Sequence, residues 1–119
     1  MSALRLYHNP RCSKSRQTLA LLEENNITVT PILYLQTGLT ELEVLRLKKK
    51  LEVTSLLSMM RPKEAEFAAQ KLTKASDEAA LLAGLLAAPK LLERPILETE
   101  DAAAIGRPPE QVLAIIDQG

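Results

Sequence analysis

Short stretches of alternating apolar and polar residues, separated by longer runs with helical spacing, divide this chain into elements. Leu4-Arg5-Leu6-Tyr7 alternates as a short strand does. Ser13 to about Glu24 predicts a helix, with Leu19 and Leu22 on one face and Asn25-Asn26 at its end. Ile27-Thr28-Val29-Thr30 and Ile32-Leu33-Tyr34 are rich in β-branched residues and predict a second strand. Pro31 interrupts it, which suits a sheet edge better than a centre. Strand, helix and strand in succession make a βαβ unit with parallel pairing.

The middle of the chain predicts helices. Thr40-Glu41-Leu42-Glu43 is a capping box opening a helix to about Leu51. Short helical pieces follow around Ser55–Met60 and Lys63–Leu72. Ser76-Asp77-Glu78 starts another helix, with Leu81, Leu82, Leu85 and Leu86 on its apolar face and Pro89 closing it. Arg94-Pro95-Ile96-Leu97-Glu98 reads as a strand entered through a proline, and Ala102-Ala103-Ala104-Ile105 as its hairpin partner. Gly106-Arg107-Pro108-Pro109-Glu110 turns into a last helix that directs Val112, Leu113 and Ile116 to the core. With no repeat, low-complexity tract or linker, residues 1–119 are expected to form one domain. The order βαβ, helical insert, ββα predicts an α/β thioredoxin-like fold with a mixed four-stranded sheet. That fold places a cis proline opposite its N-terminal active-site turn, and Arg94-Pro95 stands at the expected position.

Composition removes several function classes. Fifteen basic and fifteen acidic residues balance, which argues against gripping nucleic acid through its phosphates. Only Tyr7, Tyr34 and Phe67 are aromatic, so stacking on bases is not expected either. The longest apolar stretch, Ala79 to Ala88, falls short of the roughly 20 residues that span a bilayer. No secretory pattern precedes Leu4, and a lone cysteine cannot form an internal disulfide; a cytoplasmic, reducing setting is the expectation. One histidine and one cysteine do not support a metal centre.

The chemistry concentrates at that cysteine. Cys12 lies in Tyr7-His8-Asn9-Pro10-Arg11-Cys12-Ser13-Lys14-Ser15-Arg16, where a strand end turns into the first turn of a helix. Unpaired backbone N–H groups and the positive end of the helix dipole face such a residue. Arg11, Lys14 and Arg16 add positive charge. These influences favour the thiolate, the nucleophilic form, and also suit a bound oxyanion. A lone cysteine is more often an inert core filler, but this neighbourhood is polar, basic and turn-like. Lys14 and Arg16 read as solvated first-turn residues, with Ser13 and Ser15 offering helix caps.

Four separated motifs, in order, carry a resemblance. The Tyr7–Arg16 stretch, Met60-Arg61, Glu93-Arg94-Pro95-Ile96 and Gly106-Arg107-Pro108-Pro109-Glu110 resemble the ArsC family, and within it the YfgD-like branch, over about residues 4 to 116. These are glutathione- and glutaredoxin-dependent arsenate reductases with a thioredoxin-like fold. The resemblance implies Cys12 as the nucleophile and Arg61, Arg94 and Arg107 as the residues that bind the anion. It implies that His8 helps to keep Cys12 ionised. The better-studied members carry Cys-Gly-Thr-Ser-Arg where this chain has Cys12-Ser13-Lys14-Ser15-Arg16, and some carry a cysteine where Gly106 stands.

The implied reaction starts with arsenate held by guanidinium forks that donate paired hydrogen bonds and keep their charge. The thiolate attacks arsenic and expels water, leaving a Cys12–S–As(V) adduct. Glutathione, a co-substrate rather than a bound cofactor, attacks that adduct, and a glutaredoxin resolves the mixed species by thiol exchange, with arsenite as product. No second cysteine exists to do this internally. Two other functions fit the same residues less well. A general thiol oxidoreductase is weakened by Cys12-Ser13-Lys14-Ser15, which lacks the second cysteine of a C-x-x-C site and leaves monothiol, glutathione-linked exchange as its remaining form. A Spx-like regulator that binds RNA polymerase often uses a C-x-x-C switch, which Ser15 removes here.

Overall fold

The alternation at Leu4–Tyr7 becomes strand β1, Arg5–Tyr7, an inner strand of a four-stranded sheet. The computed structural model describes residues 4–116, which divide into two units: residues 4–34 with 94–116, and residues 35–93. In the first unit β1 leads through the Cys12 turn into α1, Ser13–Glu24, and on to β2, Thr30–Ile32. The chain re-enters this unit at Arg94 and forms β3, Ile96–Glu98, and β4, Ala103–Ile105. The strand order is β2-β1-β3-β4, with β1 parallel to β2 and antiparallel to β3, and β4 antiparallel to β3. This is the mixed sheet of a thioredoxin-like fold.

Strand β2 is shorter than its β-branched composition predicts. Pro31 sits at its middle, in register with Leu6, and the strand lies at the sheet edge as expected. Thr30 N–H donates to the Leu4 carbonyl at 2.8 Å and His8 N–H to the Ile32 carbonyl at 3.0 Å, so the ladder never calls on residue 31. Tyr34 is not in the strand. It opens a short helix, α2, Tyr34–Thr37, where its ring is fully buried; burial overrides the strand preference of an aromatic residue.

Side chains on the two faces of the sheet follow the pleat. Leu6 and Leu97 are cross-strand partners on one face, and with Leu22 of α1 and Val112 they are fully buried. Removing each such side chain from water stabilises the fold by about 1.5–3 kcal/mol. On the other face Glu98 is wholly buried. It accepts a hydrogen bond from the Tyr7 hydroxyl at 3.0 Å and lies 3.6 Å from Arg5 Nη1. The predicted last helix winds as a 3₁₀ helix, Pro109–Ile115, packed on α1 and β4. Pro108 and Pro109 supply no N–H donor at its start, and its bonds run three residues back, as from Gln111 N–H to the Pro108 carbonyl.

The second unit is helical. The capping box forms in full: Thr40 Oγ1 accepts from Glu43 N–H at 3.1 Å, and Glu43 Oε1 accepts from Thr40 N–H at 2.8 Å. It opens α3, Glu41–Leu51, which stops at Glu52 in the left-handed conformation. A 3₁₀ turn, Leu56–Met59, then α4, Ala65–Ala69, α5, Glu78–Ala87, and a second 3₁₀ turn, Pro89–Leu91, complete it. Leu81 and Leu85 are buried on the predicted face of α5, while Leu82 and Leu86 are partly exposed.

Glu78 holds three of these elements together. Its carboxylate accepts from Ser55 Oγ at 2.8 Å and Leu56 N–H at 2.9 Å, and pairs with Lys48 Nζ at 2.9 Å. Partial burial alone would raise its pKa, but the Leu56 N–H, Lys48 and Ser55 outweigh it and hold the pKa below the ordinary 4.5. A carboxylate depressed in the folded state stabilises above its unfolded pKa and loses that contribution as pH falls through the folded value. Glu78→Gln is therefore expected to lower stability at pH 7 by about 1 kcal/mol, a modest figure because the group is half exposed. The gap should narrow progressively in urea titrations as pH falls below 4.5. A pH-independent gap would mean that packing, not charge, is lost.

Candidate active site

Asn9 and Pro10 reverse the chain between β1 and α1. Asn9 Oδ1 accepts from Arg11 N–H at 3.0 Å, and the Asn9 carbonyl accepts from Cys12 N–H at 3.0 Å. This turn leaves Cys12, partly exposed, at the N-cap position of α1. The thiol forms no side-chain cap bond of the kind a serine or aspartate would make. The N–H groups of Ser15 and Lys14 nevertheless bear on its sulfur and favour the anion.

Two arginines converge on the same sulfur, each followed by a cis proline, at Arg94-Pro95 and Arg107-Pro108. Gly106 N–H donates to the Pro95 carbonyl at 2.8 Å, and Arg107 Nε to the Arg94 carbonyl at 2.7 Å. These bonds tie the loop after β4 to the loop before β3. Arg107 Nη2 then lies 3.7 Å from Cys12 Sγ. Gly106 is needed for the close approach. A Cβ there would stand 2.7 Å from Thr18 Oγ1 and 2.9 Å from Pro95 Cγ.

The balance of forces on Cys12 favours the thiolate. Burial would push its pKa up, but the Ser15 N–H, the Arg94 guanidinium and the Lys14 N–H together bring it below the usual thiol value. Arg94 acts both as a hydrogen-bond donor and through its charge. An electron-rich sulfur beside two guanidinium groups can bind a small oxyanion and attack it.

His8 reaches this centre indirectly. Its Nδ1 lies 2.6 Å from Ser15 Oγ, and Ser15 Oγ also accepts from Asn9 N–H at 3.0 Å. Both His8 and Ser15 are buried. Burial first, and the charge of Arg16 second, hold the His8 pKa below 6.5, so at neutral pH the ring is uncharged. With Asn9 donating to Ser15, the hydroxyl proton is available to His8 Nδ1. The ring tautomer sets which of the two groups donates in that contact. His8 thus bears on the cysteine by fixing Ser15, whose N–H faces the sulfur, and not as a cation. His8 is the sole histidine in the chain, so its ring protons are expected to titrate in NMR as a single resolved curve with a midpoint below 6.5. A midpoint above 6.5 would restore an imidazolium as the partner of the thiolate.

Arg61 belongs to the second unit. There its Nε pairs with Glu64 Oε1 at 3.2 Å and its Nη1 with Glu93 Oε1 at 3.0 Å, while its N–H donates to the Leu91 carbonyl at 2.7 Å.

The ArsC family model matches residues 7–115. The chain belongs to the ArsC family. It is 45% identical over 114 residues to the uncharacterised protein YfgD of Escherichia coli K12, covering 95% of this chain and 96% of that one. An arsenate reductase of Haemophilus influenzae is 42% identical over 112 residues, covering 93% and 97%. Among solved structures, an arsenate reductase from Vibrio cholerae matches with a TM-score of 0.91 at 43% identity, covering 96% of this chain and 98% of that one.

In this ArsC-family chain Ser15 is the site residue that the motif reading passed over. It reads as a helix cap and instead is fully buried, bridging His8 and the Asn9 backbone. One signal pointed to it. A serine three residues after the N-cap stands where a first-turn side chain reaches back toward the preceding turn. Asn9 carried a similar signal, since Asn-Pro favours turn initiation and an Asn side chain can bond the backbone two residues on.

Proposed function

We propose that this protein is an arsenate reductase that works through a Cys12 adduct and external thiols. The observation that carries the reading is the Cys12 sulfur, held below its usual pKa with Arg94 and Arg107 beside it. The names of its relatives point the same way. Arg61 keeps the anion-binding role that the sequence resemblance gives it.

Arsenate's charge is met by guanidinium groups that cannot deprotonate, which lowers the cost of bringing it to a thiolate. Cys12 Sγ attacks arsenic, forming an S–As bond. One As–O bond breaks, and that oxygen takes up protons and leaves as water; arsenic remains As(V). A glutathione thiolate then attacks the Cys12 sulfur. The S–As bond breaks with its electron pair on arsenic, which leaves as arsenite, As(III), while the two sulfurs are oxidised to a mixed disulfide. A glutaredoxin thiolate then attacks the glutathione sulfur of that disulfide, forming a glutaredoxin–glutathione mixed disulfide and releasing the Cys12 thiolate.

The test is arsenite formation from arsenate with glutathione, glutaredoxin and glutathione reductase, each omitted in turn. Turnover that needs both thiol donors is the expected result. A folded protein that forms no arsenite yet exchanges thiols with glutathione would overturn the arsenate reading and leave a monothiol oxidoreductase.

A further inference from the structure

Two polar side chains of α1 are fully buried, Ser15 at the cysteine centre and Thr18 just under a turn on. The Thr18 hydroxyl donates to the Lys14 carbonyl at 2.9 Å, a bond to the preceding turn that holds its rotamer. Its Oγ1 and Cγ2 therefore present a fixed surface, and Gly106 lies against it. A Cβ at Gly106 would stand 2.7 Å from Thr18 Oγ1, 3.2 Å from Thr18 Cγ2 and 2.9 Å from Pro95 Cγ. Gly106 is not in the left-handed conformation, so its backbone would accept alanine. Space alone demands glycine here.

The same residue joins the two arginine loops. Gly106 N–H bonds the Pro95 carbonyl and Arg107 Nε bonds the Arg94 carbonyl, so the loops form one piece that carries both guanidinium groups. Helix α1 is the other piece, with the sulfur at its N-cap. Farther along, Val112 and Leu22 of α1 share a core cluster, which fastens the two pieces away from the site. At the arginine end they meet where Gly106 rests on Thr18.

We propose that Thr18 is a positioning residue, whose contact with Gly106 sets how closely Arg94 and Arg107 approach the Cys12 sulfur. The inference rests on the reading of Cys12 as the nucleophile and of these arginines as its anion site. Charge acts on the sulfur in inverse proportion to distance, so a methyl group forced into the contact weakens both guanidinium groups at once.

The test needs no arsenate. Cys12 is alkylated with iodoacetamide, which is neutral, and with iodoacetate, which is an anion. Arg107→Ala should lower the ratio of the iodoacetate rate to the iodoacetamide rate about fivefold, the effect of one unit charge at about 4 Å in water. Gly106→Ala should lower it about twofold and move the iodoacetamide pH profile toward alkaline pH. Adding Thr18→Ala to Gly106→Ala removes both Thr18 atoms that the new methyl meets. That double variant is expected to return both readouts toward wild type while its urea midpoint falls further, since a buried side chain has been cut back. A role confined to stability would not let the less stable protein recover its chemistry. Gly106→Ala that folds with the wild-type ratio and profile overturns the proposal, as does a double variant no closer to wild type than Gly106→Ala. Should Gly106→Ala fail to fold, the double variant decides: a ratio near wild type supports the contact, and one as low as that of Arg107→Ala overturns it. The expected alkylation pattern in a protein that forms no arsenite would keep Thr18 in its role and remove the arsenate reading.

Discussion

Cys12→Ser is expected to reduce arsenite formation to background, a loss on the order of 10⁴-fold or more, without measurable loss of stability. The reason is chemical. A serine hydroxyl beside the same arginines is not appreciably ionised at neutral pH, and no other thiol exists to take over. Cys12 is partly exposed at a helix start rather than packed in the core, so replacing sulfur by oxygen leaves no large cavity. Serine also caps helices well, which favours the fold if anything. The measurement pairs coupled turnover with a urea midpoint. A variant that retains turnover at full stability removes Cys12 from the reaction.

The second large effect concerns the guanidinium groups. Arg94→Ala and Arg107→Ala are each expected to lower kcat/KM for arsenate by about 10²–10³, the usual consequence of removing one preorganised donor from a developing charge. The two changes should differ in a second readout. Arg94 stabilises the thiolate by hydrogen bonding and charge, so its loss moves the Cys12 pKa up and shifts the pH profile of iodoacetamide alkylation toward alkaline pH. Arg94→Lys keeps the charge but loses the fork; it should recover more of the alkylation profile than of the arsenate KM. Arg107 Nε also holds the Arg94 carbonyl, so the double variant should cost less than the product of the single losses. Wild-type kinetics in both single variants would dismantle the anion site.

Elements specified by local chemistry were legible in the chain, and those specified by distant partners were not. The Thr40–Glu43 capping box and the Asp77 cap state their own helix starts within four residues, and α3 and α5 begin where those signals stand. The interrupted run around Pro31 was legible as an edge, because a missing N–H excludes the centre of a sheet. Tyr34 was misread as strand because its burial, not its neighbours, decides its conformation. At the site, Cys12 was evident from the basic turn around it. Its neutral histidine was not, because the Ser15 hydroxyl that fixes His8 comes from seven residues away and only the turn brings them together. Nothing in Met60-Arg61 announces the carboxylate that Glu93 brings to Arg61 from 32 residues on. Gly106 likewise acquires its meaning only once Thr18 and Pro95 are known to flank it.

Pro31 has a consequence beyond the shape of its own strand. In a parallel pair the groups of alternate residues turn toward the neighbour, and those between them turn outward. Thr30 and Ile32 face β1, so the outward position of this three-residue strand is residue 31, and proline has no hydrogen there. An extended segment from another molecule, arriving along this rim, would find a carbonyl to donate to and no N–H to answer it. The rim therefore resists recruitment by foreign chains, although it is an open edge of the sheet.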